Sequence, residues 1–200
     1  MKLYVVRHAQ SIGNEQRIHC GQRRDFGLSE LGKKQAKEVA NFFRNIPIEK
    51  IYSSDSLRAK DTAKELAKLK EIKIIEDKRL REFDKGDFVD VEWSLCVKYK
   101  EKIVKEKNLP FYEIAFPNGE SEIENKKRVE EFLKEVLSKQ KDNIVIFAHA
   151  GTNRIIHAVL MNLSFEEAYA LPQKNGCINE FERVGKKWRL NFSNKLDHFS

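Results

Sequence analysis

The strongest constraint on this chain is an alternation of short, apolar, β-branched runs with amphipathic segments. Leu3-Tyr4-Val5-Val6, Lys50-Ile51-Tyr52-Ser53, residues 72–75 and residues 143–148 read as buried strands. Between them the spacing predicts helices. Ser29 is a suitable N-cap for one running to about residue 45, in which Ala36, Val39, Ala40 and Phe43 form a single i, i+3, i+4, i+7 stripe. Asp55 is expected to cap the next, whose inward face carries Ala59, Ala63, Leu66 and Ala67. Val129, Phe132, Leu133, Val136 and Leu137 mark a third, residues 151–162 a fourth, and two late strands cover residues 177–184 and 188–192. Residues 82–118 are less regular and punctuated by glycine and proline; they read as an excursion holding a helix at 93–107. No repeat, linker or low-complexity tract interrupts the pattern. The expected fold class is α/β: a three-layer sandwich with a mostly parallel central sheet flanked by helices. The chain is expected to be one domain, 1–200, with a short helical subdomain inserted over the site at about 87–118.

Composition narrows the class of protein. Hydrophobic residues make up 40% of the chain, enough to build a core at this length. The first apolar run ends at Arg7, too early for a signal peptide, and no later run could cross a bilayer, so no membrane partner is expected. Cys20, Cys96 and Cys177 are odd in number and widely spaced, which argues against disulfides and a thiolate zinc site and fits a reducing, cytoplasmic setting. The net charge of +7 attracts anions generally. Its lysines are interleaved with glutamates, as in Lys64-Glu65 and Lys70-Glu71, a pattern of solvated helix faces rather than of a nucleic-acid groove.

Sheets of this type place their chemistry beyond the carboxyl ends of strands. Two of the most apolar strands here run directly into histidine: Leu3–Val6 into Arg7-His8, and Ile144–Ala148 into His149. Neighbouring strands would bring both imidazoles to one crevice. A neutral imidazole can attack phosphorus and form a phosphoenzyme, and arginine's planar fork suits the phosphoryl oxygens. For the Arg-His pair by itself, an exposed strand end is the plainer reading.

The motifs around these residues resemble the histidine phosphatase superfamily, which includes the phosphoglycerate mutases. Arg7-His8-Ala9-Gln10-Ser11-Ile12-Gly13-Asn14 is similar to its opening RHGxSxxN signature, and residues 21–36 to its second segment. Residues 53–63 resemble its SSDLxRAxxTA block, residues 80–88 its LREIxxGxW block, Asn118-Gly119-Glu120-Ser121 its GGES turn, and residues 147–154 its SHGGxxR block. The six motifs occur in family order. The resemblance implies that His8 is the phosphorylated nucleophile and that Arg7, Arg58 and a protonated His149 ring the phosphoryl oxygens. Asn14 and Gln22 would add neutral donors, and Ser11, Gly21 and Ala150 would complete the substrate contacts. Glu82 would be the general acid and then the base, which requires a pKa raised towards the working pH. Asp84 and Asp87 compete with it by spacing alone; the block alignment favours Glu82. Departures from the family are Ala9 and Ala150 in place of glycine, Gly27 in place of proline, and Phe88-Val89-Asp90 in place of Trp-Glu-Gly. None removes a charged or nucleophilic group.

The resulting expectation is a phosphomonoester hydrolase acting on a small phosphorylated metabolite, with no cofactor and no metal. Its short insertion and tail favour water access over the sealed site of a cofactor-dependent phosphoglycerate mutase, the alternative within the family. A non-catalytic phosphate-binding module and a salt-sensitive nucleic-acid binder are the alternatives outside it. His19 is a candidate for the site rim or for solvent, His157 reads as a packing residue, and His198 as part of a mobile tail. Trp93, Tyr99, Phe111, Tyr112 and Phe116 could wall the pocket, but packing of the insertion is the plainer role. The late strands offer a sheet edge on which two copies could pair as a homodimer.

Overall fold

The computed structural model describes residues 1–18 and 20–199; His19, Ser200 and the Trp93 side chain lie outside the described residues, and with them the readings made for His19 and Trp93. The strands are β1 (Lys2–Arg7), β2 (Lys50–Ser53), β3 (Ile74–Glu76), β4 (Ile144–Ala148), β5 (Ile178–Val184) and β6 (Lys187–Lys195). They form a mixed six-stranded sheet in the order β3-β2-β4-β1-β5-β6. The first four are parallel to one another, while β5 and β6 run antiparallel to β1 and to each other. The helices are α1 (Ile12–Glu15), α2 (Glu30–Phe42), α3 (Leu57–Lys70), α4 (Trp93–Lys107), α5 (Glu122–Lys139), α6 (Ala150–Met161) and α7 (Phe165–Ala170).

The uniformly apolar strands are explained by burial on both faces. Along β1 and β4, Leu3, Val5, Ile144 and Ile146 point to one side and pack on Phe132 and Leu133 of α5 and Ile155 of α6. Their neighbours Tyr4, Val6, Val145 and Phe147 point to the other, against Val39 and Phe43 of α2 and Leu66 of α3. Alternate side chains of one strand thus feed two cores, which makes the three layers.

Local capping follows the sequence with one exception. The Ser29 side chain accepts from Gly32 N and starts α2 as expected. Asp55 does not cap α3. Its carboxylate is held by two bonds from Arg81, at 2.7 and 2.6 Å, and Ser56 occupies the cap position. The exposed amide of Leu57 is met instead by Asp25 Oδ2 at 2.7 Å, a cap supplied from another part of the chain. The short α1 and α7, capped by Ser11 and Ser164, have too few residues to show a periodic stripe. Among the described residues no helix is long and apolar enough to cross a membrane.

Candidate active site

The parallel register of β1 and β4 pairs Arg7 with Ala148, so the next residue of each strand is a histidine at the same sheet edge. His8 N donates to Ala148 O at 2.9 Å, and the two imidazole centroids are 5.2 Å apart. His8 Nδ1 lies 2.8 Å from Ala9 O. A carbonyl oxygen only accepts, so the ring proton sits on Nδ1 and Nε2 keeps its lone pair. His149 Nε2 lies 3.0 Å from Ser54 Oγ and 3.2 Å from Ser56 Oγ, while its Nδ1 is buried without a partner among the described residues. If the hydroxyls donate to Nε2, the ring proton sits on that unpaired Nδ1.

Burial pushes both imidazoles well below the ordinary histidine value of 6.5, and the Arg58 guanidinium is the next largest cause for each. Arg7 adds to both. The protonated His149 implied by the resemblance concerns the phosphate-bound site; in the free protein both rings are held neutral at pH 7. The reason is that two fixed guanidiniums in a dry site disfavour a third positive charge until a dianion arrives.

Arg58 is buried on the first turn of α3, and its Nη2 donates to Gly21 O at 3.0 Å. Gly21 has φ +51°, a left-handed conformation that suits glycine. Thr62 Oγ1 accepts from Ala9 N at 3.0 Å and donates to Arg58 O at 2.8 Å, which ties the arginine's helix to the segment that carries His8. Arg7 Nη1 donates to Gln173 O at 2.6 Å, and its Nε is buried without a partner among the described residues. Burial lowers the Arg7 pKa from its ordinary value.

Arg7, His8, Asn14, Gly21, Arg58 and Glu82 share one cleft of about 600 Å³, and Ala150 lies on its wall. Glu82 Oε1 accepts from Phe83 N at 2.9 Å and Oε2 from Gly151 N at 3.3 Å. A Cβ at Gly151 would sit 2.5 Å from Glu82 Oε1, so glycine there is the condition for this carboxylate position. The competitors turn elsewhere: Asp87 pairs with Arg23 at 3.0 Å, and Asp84 Oδ1 accepts from Gly86 N at 2.9 Å. Ser11 is fully buried and caps α1, accepting from Asn14 N at 3.1 Å, so it orders the loop rather than lining the cleft. Gln22 lies in a smaller adjoining depression with Asp55 and Arg81.

Several residues of the site were not legible beforehand. Arg128 grips Glu120 with bonds of 2.7 and 2.9 Å and donates to Glu82 O at 3.3 Å, fixing the backbone beneath the carboxylate. Asn175 Nδ2 donates to His8 O at 3.2 Å and to Asn14 Oδ1 at 2.9 Å. The aromatic walls of the cleft are Phe83 and Tyr169, not residues of the insertion. Tyr99 and Phe116 stack on each other and on Phe88, which is the packing role. His157 is buried, with Nδ1 2.8 Å from Asn153 O, as a packing histidine should be. His198 is not a loose tail residue: its ring packs on Phe42 and Phe199. The Ala9 methyl is absorbed by a small cluster with Leu28 and Ala36, on the side away from the cleft.

The sequence model of the histidine phosphatase superfamily (branch 1) matches residues 3–195. The chain belongs to that superfamily. A Hydrogenobacter thermophilus protein provisionally named phosphoserine phosphatase 2 is 35% identical over 198 residues, covering 98% of this chain and 97% of that one. Phosphoserine phosphatase 1 of the same organism is 31% identical over 209 residues, covering 100% and 96%. Among solved structures, a mycobacterial glucosyl-3-phosphoglycerate phosphatase superposes with a TM-score of 0.81 at 25% identity, covering 98% of this chain and 99% of that one. This histidine phosphatase is a phosphomonoesterase of small phosphorylated metabolites.

Proposed function

We propose that the enzyme transfers the phosphoryl group of its substrate to His8 Nε2 and then to water. The reading rests on one observation: a neutral imidazole with a free Nε2 lone pair lines a cleft with two guanidiniums and a carboxylate, and a second imidazole is buried 5.2 Å behind it. The Nε2 lone pair forms a bond to phosphorus while the ester P–O bond breaks. Glu82, protonated, gives its proton to the leaving alkoxide, and its carboxylate then takes a proton from the attacking water as the P–N bond breaks. Inorganic phosphate leaves, and His8 and Glu82 return to their starting states. Arg7, Arg58 and the His149 Nδ1–H stabilise charge on the equatorial oxygens throughout, the usual largest contribution in phosphoryl transfer. Asn14 and the Gly21 and Ala150 segments complete the contacts, with Ser11 and Gln22 acting through the loop.

Hydrolysis is favoured over mutase chemistry by the relatives, which are named as phosphatases, and among the described residues none C-terminal to Gln173 lines the cleft. The relatives' names support O-phosphoserine as the first substrate to test. We read residues 1–200 as one catalytic domain, with the insertion at 87–118 forming part of its roof. The three cysteines are free and buried, which supports a cytoplasmic setting, and the β6 edge supports pairing of two copies, to be checked by sedimentation. The test of the mechanism is acid-labile labelling of His8 by rapid quench, alongside turnover of p-nitrophenyl phosphate by wild type and His8→Ala. Wild-type turnover with a trapped phosphoenzyme that His8→Ala lacks supports the reading. Equal, negligible rates, or interconversion of 2- and 3-phosphoglycerate far faster than phosphate release, would replace it with the binding-module or mutase alternative.

A further inference from the structure

The cleft also carries charges that the phosphoryl-transfer reading does not use. Glu122, the first residue of α5, reaches the cleft wall although it is only 2% exposed. Its Oε2 accepts from Lys100 Nζ on α4, itself 1% exposed. The Lys100 ammonium lies 4.8 Å from the Phe116 ring centroid, 5.1 Å from Phe111 and 5.5 Å from Phe83. The carboxylate is thus clamped on a caged cation at the start of a helix; burial raises the Glu122 pKa and lowers that of Lys100, and their pairing opposes both shifts. Such a pair is expensive to bury and adds little to stability over apolar packing, so it calls for a reason beyond stability.

Arg154, on α6, also lines the cleft. Its Nε donates to Leu171 O at 2.9 Å and its guanidinium lies 5.9 Å from the Tyr169 ring centroid. Among the described residues its Nη nitrogens bond to no protein group. Burial pushes the Tyr169 hydroxyl pKa up, with Glu122 and Glu82 adding to the rise and Arg154 opposing it. The cleft lining therefore offers a carboxylate and a guanidinium, besides the groups given to phosphoryl transfer, to whatever the phosphoryl group is attached to.

We infer that Glu122 and Arg154 are specificity-determining residues for a zwitterionic leaving group, Glu122 taking an ammonium and Arg154 a carboxylate. The substrate class is then an α-amino acid phosphorylated on its side-chain oxygen. The inference rests on the phosphatase reading of the same cleft. Discrimination follows because a substrate lacking either group leaves a protein charge without its partner, and sites built for polar groups reject such analogues strongly. Lys100 is a positioning residue: it fixes the direction in which the second Glu122 oxygen is offered.

The test compares kcat/KM for O-phospho-L-serine, 3-phosphoglycerate (hydroxyl for ammonium), O-phosphoethanolamine (no carboxylate) and p-nitrophenyl phosphate. Wild type is expected to prefer phosphoserine over each single-deletion analogue by about 10²-fold. Glu122→Gln should reduce the phosphoserine-to-phosphoglycerate ratio at least tenfold, and Arg154→Met the phosphoserine-to-phosphoethanolamine ratio, each with little effect on the other's ratio. If Glu122→Gln fails to fold, Lys100→Met/Glu122→Gln, which removes the whole pair, carries the same measurement. A wild type that turns over p-nitrophenyl phosphate but does not separate the three natural-type substrates overturns the inference alone. Ratios unchanged by the variants also overturn it. A wild type inert towards all four compounds removes the phosphatase reading itself.

Discussion

The two ends of the cleft are built in different ways. At the end we propose for phosphate, His8 and His149 are the first residues beyond two adjacent parallel strands, and their spacing is set by the β1–β4 ladder. Arg7 is the last residue of β1, and Arg58 is on the first turn of α3, tied by Thr62 to Ala9. Of the residues we propose for the leaving group, Glu122, Arg154 and Tyr169 come from three helices, and Lys100 from a fourth that belongs to the insertion. Backbone hydrogen bonds fix the first end; side-chain packing and one buried ion pair fix the second. A scaffold of this kind keeps the chemistry constant while the identity of the leaving group is set by elements that can be exchanged separately.

That contrast can be broken at several points. Substitution at the phosphate end should cost rate with little loss of stability. His8→Ala removes the nucleophile and should lower kcat by at least about 10³-fold with phosphoenzyme labelling abolished. Glu82→Gln keeps the shape but cannot move a proton; a loss of about 10² to 10⁴-fold in kcat is expected, larger for a poor leaving group such as a serine alkoxide than for p-nitrophenolate. Gly151→Ala is a subtler probe of the same end. The new methyl would press on the Glu82 carboxylate, and displacement of a catalytic group by a fraction of an ångström to an ångström should cost about 10 to 10²-fold in kcat. Equal loss for Gly151→Ser and Gly151→Ala, with KM preserved, would mark it as a positioning effect.

Substitution at the other end should cost stability. Lys100→Met leaves Glu122 buried and uncompensated, and about 3–5 kcal/mol of unfolding free energy should be lost in urea titrations. Lys100→Met/Glu122→Leu should recover most of it, since the apolar pair has no charge to desolvate. If the single variant were as stable as wild type, the pair would not be the fixed element described above.

The smallest expected effect concerns pH. His8 and His149 have folded-state pKa values well below 6.5, their ordinary value. Their stability contribution is therefore fully present above about pH 6.5 and is lost as pH falls towards the folded values, because the unfolded chain takes up protons first. Urea unfolding at pH 8 and pH 5 should show this decline, reduced in His149→Gln. The same shift places the acid limb of kcat/KM for p-nitrophenyl phosphate below pH 6.5, because His8 Nε2 stays unprotonated there. An acid limb at or above 6.5 would mean that His8 sits in wetter surroundings than the cleft provides.

What the sequence determined by itself is everything whose signal is local. Apolar runs at strand length, the periodic stripes of α2, α3 and α5 and the Ser29 cap specified the layers, and histidines directly after two strands specified that two imidazoles meet at one sheet edge. The Asp55 cap was misread because a charge-assisted pair with Arg81, 26 positions along, outcompetes a local bond. Only the tertiary structure decided that β5 and β6 run antiparallel, that Arg128 holds the backbone of Glu82, and that Glu122 meets Lys100 across 22 positions of chain. It also set the direction of the His149 pKa shift, because a pKa follows from burial and from the charges that folding brings near, and neither is a property of a residue's neighbours in sequence.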